Sequence, residues 1–149
     1  MALLSPTDQQ RLRDAFAAMT RNVRVLFFTQ TFGCDTCDET RRILDELPPL
    51  TDRVSIEEVN LVLDKEKAAP YGVDRAPSLA IAHEDAADPA VFKDSRIRFL
   101  GAPSGYEFVS LVQAIILAGG GESQLTDDSR KRLAAVDKPL TIQVFTTPT

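Results

Sequence analysis

Val25-Leu26-Phe27-Phe28 is a continuous apolar run, and Cys34-Asp35-Thr36-Cys37 follows it after a short polar stretch. A run rich in β-branched and aromatic residues with no polar alternation reads as a strand buried on both faces. From Cys37 the period changes to that of a helix, with Ile43, Leu44 and Leu47 on one side, and Pro48-Pro49 ends it. Two cysteines three positions apart therefore stand between a buried strand and a helix. Unpaired backbone N–H groups and the helix dipole stabilise a thiolate at such a junction. A second sulfur at this spacing reaches a mixed disulfide formed on the first, which is what a redox dithiol requires.

The rest of the chain alternates strand and helix signals. Ser5-Pro6-Thr7-Asp8 is a helix start, with Leu12, Ala15, Phe16 and Met19 on one face and Asn22 as the stop. Val54 to Asn60 reads as a second strand, although Glu57-Glu58 is unusual inside one. Leu63 to Ala69 suits a short helix closed by Pro70 and Gly72. Pro77 to Ala82 reads as a third strand, His83 to Asp94 as a long polar loop, and Arg96 to Leu100 as a half-exposed fourth strand. Gly105 to Ala118 carries the clearest helical stripe, Phe108, Leu111, Val112, Ile115 and Ile116, and Gly119-Gly120-Gly121 ends it. Two early strands joined by a helix should be parallel through a right-handed crossover, and the two late strands antiparallel. The expected fold class is α/β: a mixed four-stranded sheet with helices on both faces and an extra N-terminal helix.

Residues 122–149 differ. Thr126 to Val136 reads as a helix and Leu140 to Phe145 as a strand. Ile142-Gln143-Val144-Phe145-Thr146 repeats the character of Val25-Leu26-Phe27-Phe28-Thr29, each after a helix. The expected division is a redox domain over 1–121, then a linker helix and the first strand of a second, cut-off unit over 122–149.

Composition narrows the function. Of 149 residues, 44% are apolar and 26% charged, which suits a folded soluble domain. A net charge of −5 without a basic run argues against nucleic-acid binding. The apolar runs are too short for a bilayer, and Ser5, Pro6 and Asp8 do not suit a signal peptide, so the cytoplasm is the expected location. Two cysteines and the single His83 fall short of a structural zinc set, and His83 reads as a surface-loop residue. Arg75-Ala76-Pro77 precedes the third strand, where proline is tolerated and a cis peptide facing the dithiol is expected. Asp35, Asp38 and Glu39 should disfavour the thiolate and hold the Cys34 pKa near about 7, at the reducing end.

With these residues in view, the chain resembles the thioredoxin and glutaredoxin superfamily. More narrowly, it resembles the N-terminal unit of the glutaredoxin-like protein disulfide oxidoreductases. The resemblance runs through the leading helix, Cys34 to Cys37, Val73-Asp74-Arg75-Ala76-Pro77, Phe99-Leu100-Gly101, Gly105-Tyr106-Glu107-Phe108 and Val144 to Thr149. It implies a thioredoxin fold and thiol–disulfide oxidoreductase activity. Cys34 would be the nucleophile and Cys37 the resolving thiol. Pro77 would be the cis proline, and Ala76 and Gly101 would line the peptide groove. It also implies no metal or organic cofactor, protein disulfides as substrates, and an upstream disulfide reductase. In that family a segment like Val144 to Thr149 leads into a second Cys-x-x-Cys. Two departures stand out: the spacer Asp35-Thr36 lacks the common aromatic or proline, and Phe28 or a neighbour occupies the place of the buried strand carboxylate of thioredoxins. Two rival functions are a donor domain dedicated to a peroxiredoxin and a redox-silent scaffold. An unpaired Leu140 to Phe145 strand would favour a homodimer.

Overall fold

The computed structural model describes residues 3–147. Ser5 caps the first helix, α1 (Pro6–Phe16), by accepting from the Asp8 N–H at 3.2 Å, with proline in the first turn as the sequence predicts. The strands are β1 (Val23–Thr29), β2 (Val54–Asn60), β3 (Ser78–Glu84) and β4 (Phe92–Leu100). The helices between and after them are α2 (Cys37–Asp45), the single-turn α3 (Lys65–Ala68), α4 (Tyr106–Ala118) and α5 (Asp127–Ala134).

The four strands form one sheet in the order β2-β1-β3-β4. β1 pairs in parallel with β2, from Val23 opposite Val54 to Thr29 opposite Asn60. β3 is antiparallel to both β1 and β4. The crossover helix α2 brings the chain back beside β1, as a parallel pair requires. β1 has neighbours on both edges and helices or turns over both faces, which explains its unbroken apolar sequence.

One face of the sheet packs against α1, α2 and α4, joining Phe16, Leu44, Leu111 and Ile115 to Val25, Phe27, Leu79 and Ile81. The other face is thinner. Leu26, Phe28, Val59 and Ala80 are covered by Ala68 and Tyr71 from α3 and the turn after it. Arg24 and Arg98 close this layer, stacked over the rings of Phe92 and Tyr71 with their guanidinium carbons 4.1 and 5.4 Å from the ring centroids. Arg98 also forms a two-pronged pair with Asp94 at 2.8 and 2.6 Å.

Four expectations need correction. α1 ends at Phe16 rather than Asn22, because the chain turns to dock on the end of α4. The N–H groups of Thr20 and Arg21 both donate to Gly119 O, at 2.8 and 3.1 Å. Gly120 faces this junction at φ 91°, and a Cβ there would collide with Thr20 Oγ1. His83 is not a loop residue. It lies within β3, between Val23 and Lys93, and Nδ1 sits 3.0 Å from Glu84 O. The polar loop shrinks to 85–91, and β4 begins at Phe92. Alternating polar residues on an edge strand look like a loop when read without their partner. A bulge at Ser95-Arg96 adds to this: Ser95 Oγ donates to Ile81 O at 2.5 Å, and Arg96 takes φ 65°.

The fourth correction lies in the C-terminal extension. α5 forms where expected, capped by Thr126, whose Oγ1 accepts from the Ser129 N–H at 3.2 Å. Residues 140–145 form no strand and stay exposed, and Thr146 Oγ1 touches Glu107 Oε1 at the start of α4. The last two residues of the tail motif, 148 and 149, lie outside the described residues. No helix among the described residues is long and apolar enough to cross a membrane.

Candidate functional site

β1 ends at the buried Thr29, and the next seven residues make a tight polar loop before α2. Gln30 Nε2 donates to Gly33 O at 3.1 Å, with Gly33 at φ 70°, a conformation that suits glycine. The Cys37 N–H then points back to Cys34 O at 3.5 Å, and α2 begins at Cys37 itself. Cys34 therefore lies in the turn just ahead of the helix, where the orphan N–H groups of the first turn open. Asp38 and Glu39 occupy that first turn.

The two sulfurs form a disulfide, with the Cα atoms 5.5 Å apart. They are not equivalent. Cys37 is buried, 4% exposed, and belongs to the core beside Leu44 and Phe27. Cys34 is half-buried and packs on the edge of that core. A disulfide approaching from solvent meets Cys34 first.

Cys34 and Cys37 both border a polar pocket of about 270 Å³, which Thr29, Gln30, Asp38, Arg41, Glu58 and Asn60 also line. Arg41 spans it, donating to Asp38 Oδ1 at 2.8 Å and to both Glu58 oxygens at 3.1 and 2.8 Å. The bonds to Glu58 hold the Arg41 guanidinium above its already high range. Sequence pattern alone does not single out Arg41, and Glu58 stands out only as an oddity within a strand. The available signals were that oddity and the position of Arg41, one helical turn after Cys37.

The Ala76–Pro77 peptide is cis, as expected, and Pro77 is buried. Gly101 N donates to Pro77 O at 2.9 Å, so these two sites lie together at one end of the β3–β4 pair. Ala76 and Cys34 pack against the same apolar cluster. Ala76, Pro77 and Gly101 do not line the polar pocket. Asp74 and Arg75, just before them, form an exposed ion pair at 2.8 Å, and that hydrogen bond holds the Asp74 carboxyl below its usual range. Among the described residues, no group of three or more His, Cys, Asp or Glu could hold a metal ion.

No protein-family model matches the chain. A probable thioredoxin of Methanothermobacter thermautotrophicus is 28% identical over 80 residues, which is 53% of this chain and 80% of that protein. Among solved structures, the NTD_N/C domain of the alkylhydroperoxide reductase AhpF of Enterococcus faecalis superposes with a TM-score of 0.76 at 27% identity. That match covers 91% of this chain and 62% of the other. A protein disulfide oxidoreductase of Aeropyrum pernix gives a TM-score of 0.70 at 25% identity, over 88% of this chain and 54% of that one. The chain thus spans less than two thirds of either structure. The chain has the thioredoxin fold, with its Cys34–Cys37 pair between β1 and α2, and in this it is similar to thioredoxin-like disulfide oxidoreductases.

Proposed function

We propose that Cys34 is the nucleophile and Cys37 the resolving thiol of a protein-disulfide reductase. The observation that carries this is the half-exposed Cys34 paired with a buried Cys37. In the reduced pair, the Cys34 thiolate attacks one sulfur of a substrate disulfide. That S–S bond breaks, one substrate thiolate leaves and takes a proton, and a mixed disulfide remains on Cys34. Cys37 then loses its proton and attacks Cys34 Sγ. The second substrate thiolate leaves, and the Cys34–Cys37 bond of the present structure results. Two electrons have passed to the substrate, and an upstream dithiol reductase returns the pair to the reduced state. The reading needs no metal or organic cofactor, because the electrons reside in sulfur.

Ala76, Pro77 and Gly101 are proposed to line the peptide groove. The bond from Gly101 to Pro77 and the shared packing of Ala76 and Cys34 support this. The cytoplasm is the proposed location, where one catalytic pair rather than a framework of bridges suits a reducing compartment. Residues 1–121 are proposed as the redox unit and 122–149 as the opening of a second. The AhpF match supports this division, since it covers more of the chain than residues 1–121 alone could supply. A homodimer through 140–145 is proposed on the strength of the exposed, alternating Leu140, Ile142 and Val144.

Reduction of insulin disulfides by the chain, with a thiol reductant as electron source, is the test. Turnover is expected and should vanish in Cys34→Ser, whereas a redox-silent scaffold gives none in either protein. The likeness to AhpF supports a second reading, a donor dedicated to a peroxiredoxin. That reading predicts reduction of the peroxiredoxin disulfide far faster than of insulin.

A further inference from the structure

The polar pocket beside the disulfide holds one cation and two carboxylates. Helical side chains lean toward the N-terminus of their helix, so Arg41, four residues after Cys37, covers the turn that carries Cys37. Strand alternation places Glu58 on the same sheet face as Ile56, the face that carries α2. The guanidinium bridges the two elements, with the Phe27 ring beneath it, 5.7 Å from carbon to centroid. About four tenths of the Arg41 side chain stays exposed, so the cluster meets solvent and sulfur together.

A brace between α2 and β2 would not need to stand at the sulfurs. This one does: Arg41, Asp38, Glu58, Cys34 and Cys37 line a single cavity. Asp38 and Glu58 each oppose a negative sulfur, and Arg41 offsets both. We propose that Arg41 is a positioning residue that sets the reactivity of the dithiol, by holding Asp38 and Glu58 in a shared ion pair so that neither carboxylate faces the sulfurs uncompensated. This rests on the roles proposed above for Cys34 and Cys37.

The other charged groups on the neighbouring elements are exposed or hold partners of their own. On the loop and α2, Asp35 and Glu39 are exposed and add negative charge. After β2, Asp64 accepts from the Asn60 N–H at 2.9 Å. Before β3, Asp74 and Arg75 cancel each other. Around the start of α4, Glu107 contacts Thr146. Of the groups lining the pocket, only Asp38, Arg41 and Glu58 are charged.

The test is a pH titration of thiolate absorbance in the reduced full chain, alongside insulin reduction and thermal unfolding. Arg41→Met keeps the stem over Phe27 and removes the cation. The thiolate midpoint should rise by roughly half to one pH unit, as expected for one unit charge in a part-solvated pocket. Glu58→Gln should move the midpoint down, and Arg41→Lys should restore it toward the wild-type value. Insulin reduction at neutral pH should fall about two- to fivefold in Arg41→Met as the thiolate fraction drops. Opposite shifts for Arg41→Met and Glu58→Gln support the proposal, because loss of a brace would not reverse sign. Unchanged midpoints, or shifts in one direction with a lower melting temperature, overturn it and leave a brace only. A wild-type chain without turnover defeats the reading of Cys34 and Cys37 instead, and the midpoints still decide the role of Arg41.

Discussion

Val25-Leu26-Phe27-Phe28-Thr29 and Ile142-Gln143-Val144-Phe145-Thr146 share β-forming composition, and each follows a helix. The first is an inner strand with Phe27 and Phe28 no more than 1% exposed. In the second, Ile142 is 85% and Phe145 90% exposed. The difference lies in where the backbone hydrogen bonds go. β1 exchanges them with β2 on one edge and β3 on the other. The tail has no strand beside it, and ordering each residue costs about 1–2 kcal/mol with nothing to offset it. α5, in the same extension, forms without burying a single residue, because a helix bonds within itself and Thr126, Asp127 and Arg132 supply its ends. Local chemistry suffices for a helix; a strand needs a neighbour.

Catalysis should separate the two regions most sharply. Cys34→Ser is expected to abolish insulin reduction, since no other free thiol is exposed to attack. Cys37→Ser should leave Cys34 able to form mixed disulfides that stall, visible as adducts by intact-protein mass spectrometry. Rapid turnover in Cys34→Ser would move the chemistry away from β1. Alkylation of the reduced chain should label Cys34 before the buried Cys37.

Stability should separate them next. Phe27→Ala removes a ring packed beside Leu44 and Cys37 and should cost about 3–5 kcal/mol in denaturant unfolding. Phe145→Ala should change stability by less than about 0.5 kcal/mol. A comparable loss at both positions would mean that the tail is packed in solution.

The open face of the sheet gives a smaller, pH-dependent contrast. Asp94 accepts from Arg98, and this hydrogen bond holds its carboxyl below the usual range, against the opposing effect of partial burial. A carboxyl lowered in the folded state adds stability above its ordinary value of about 4, and that stability is lost as pH falls through the folded value. Asp94→Asn should therefore cost about 1 kcal/mol near neutral pH and progressively less in acid. A difference that stays constant from neutral pH to pH about 2 would show that the pair contributes shape rather than charge.

Much of this was legible from periodicity. The β1 run, the α2 stripe, the Ser5 cap and the α4 stripe each state their structure locally, and so do the Cys34–Cys37 spacing and the cis peptide before β3. Features that depend on a partner were not legible. His83 and Phe92 are strand residues because β3 and β4 pair, and the bulge at Ser95-Arg96 interrupts the alternation that would have shown it. The Arg41–Glu58 bridge joins residues 17 apart across two elements, so only the folded pocket shows that the oddity at Glu58 has an answer.

The smallest effect expected is deletion of residues 138–149. None of the described residues of that stretch borders the disulfide pocket, and Thr146 touches Glu107 at the start of α4. Turnover should be unchanged and the melting temperature altered by no more than a degree or two, the equivalent of about 0.5 kcal/mol in a domain of this size. The deletion also tests the proposed dimer. β2 and β4 each present a free edge, and residues 140–145 could gain on a second molecule the hydrogen bonds they lack here. If they do, the full chain sediments as a dimer and the shortened chain as a monomer, with equal specific activity. If the full chain is already a monomer at high micromolar concentration, the dimer is excluded and the tail waits for a different neighbour.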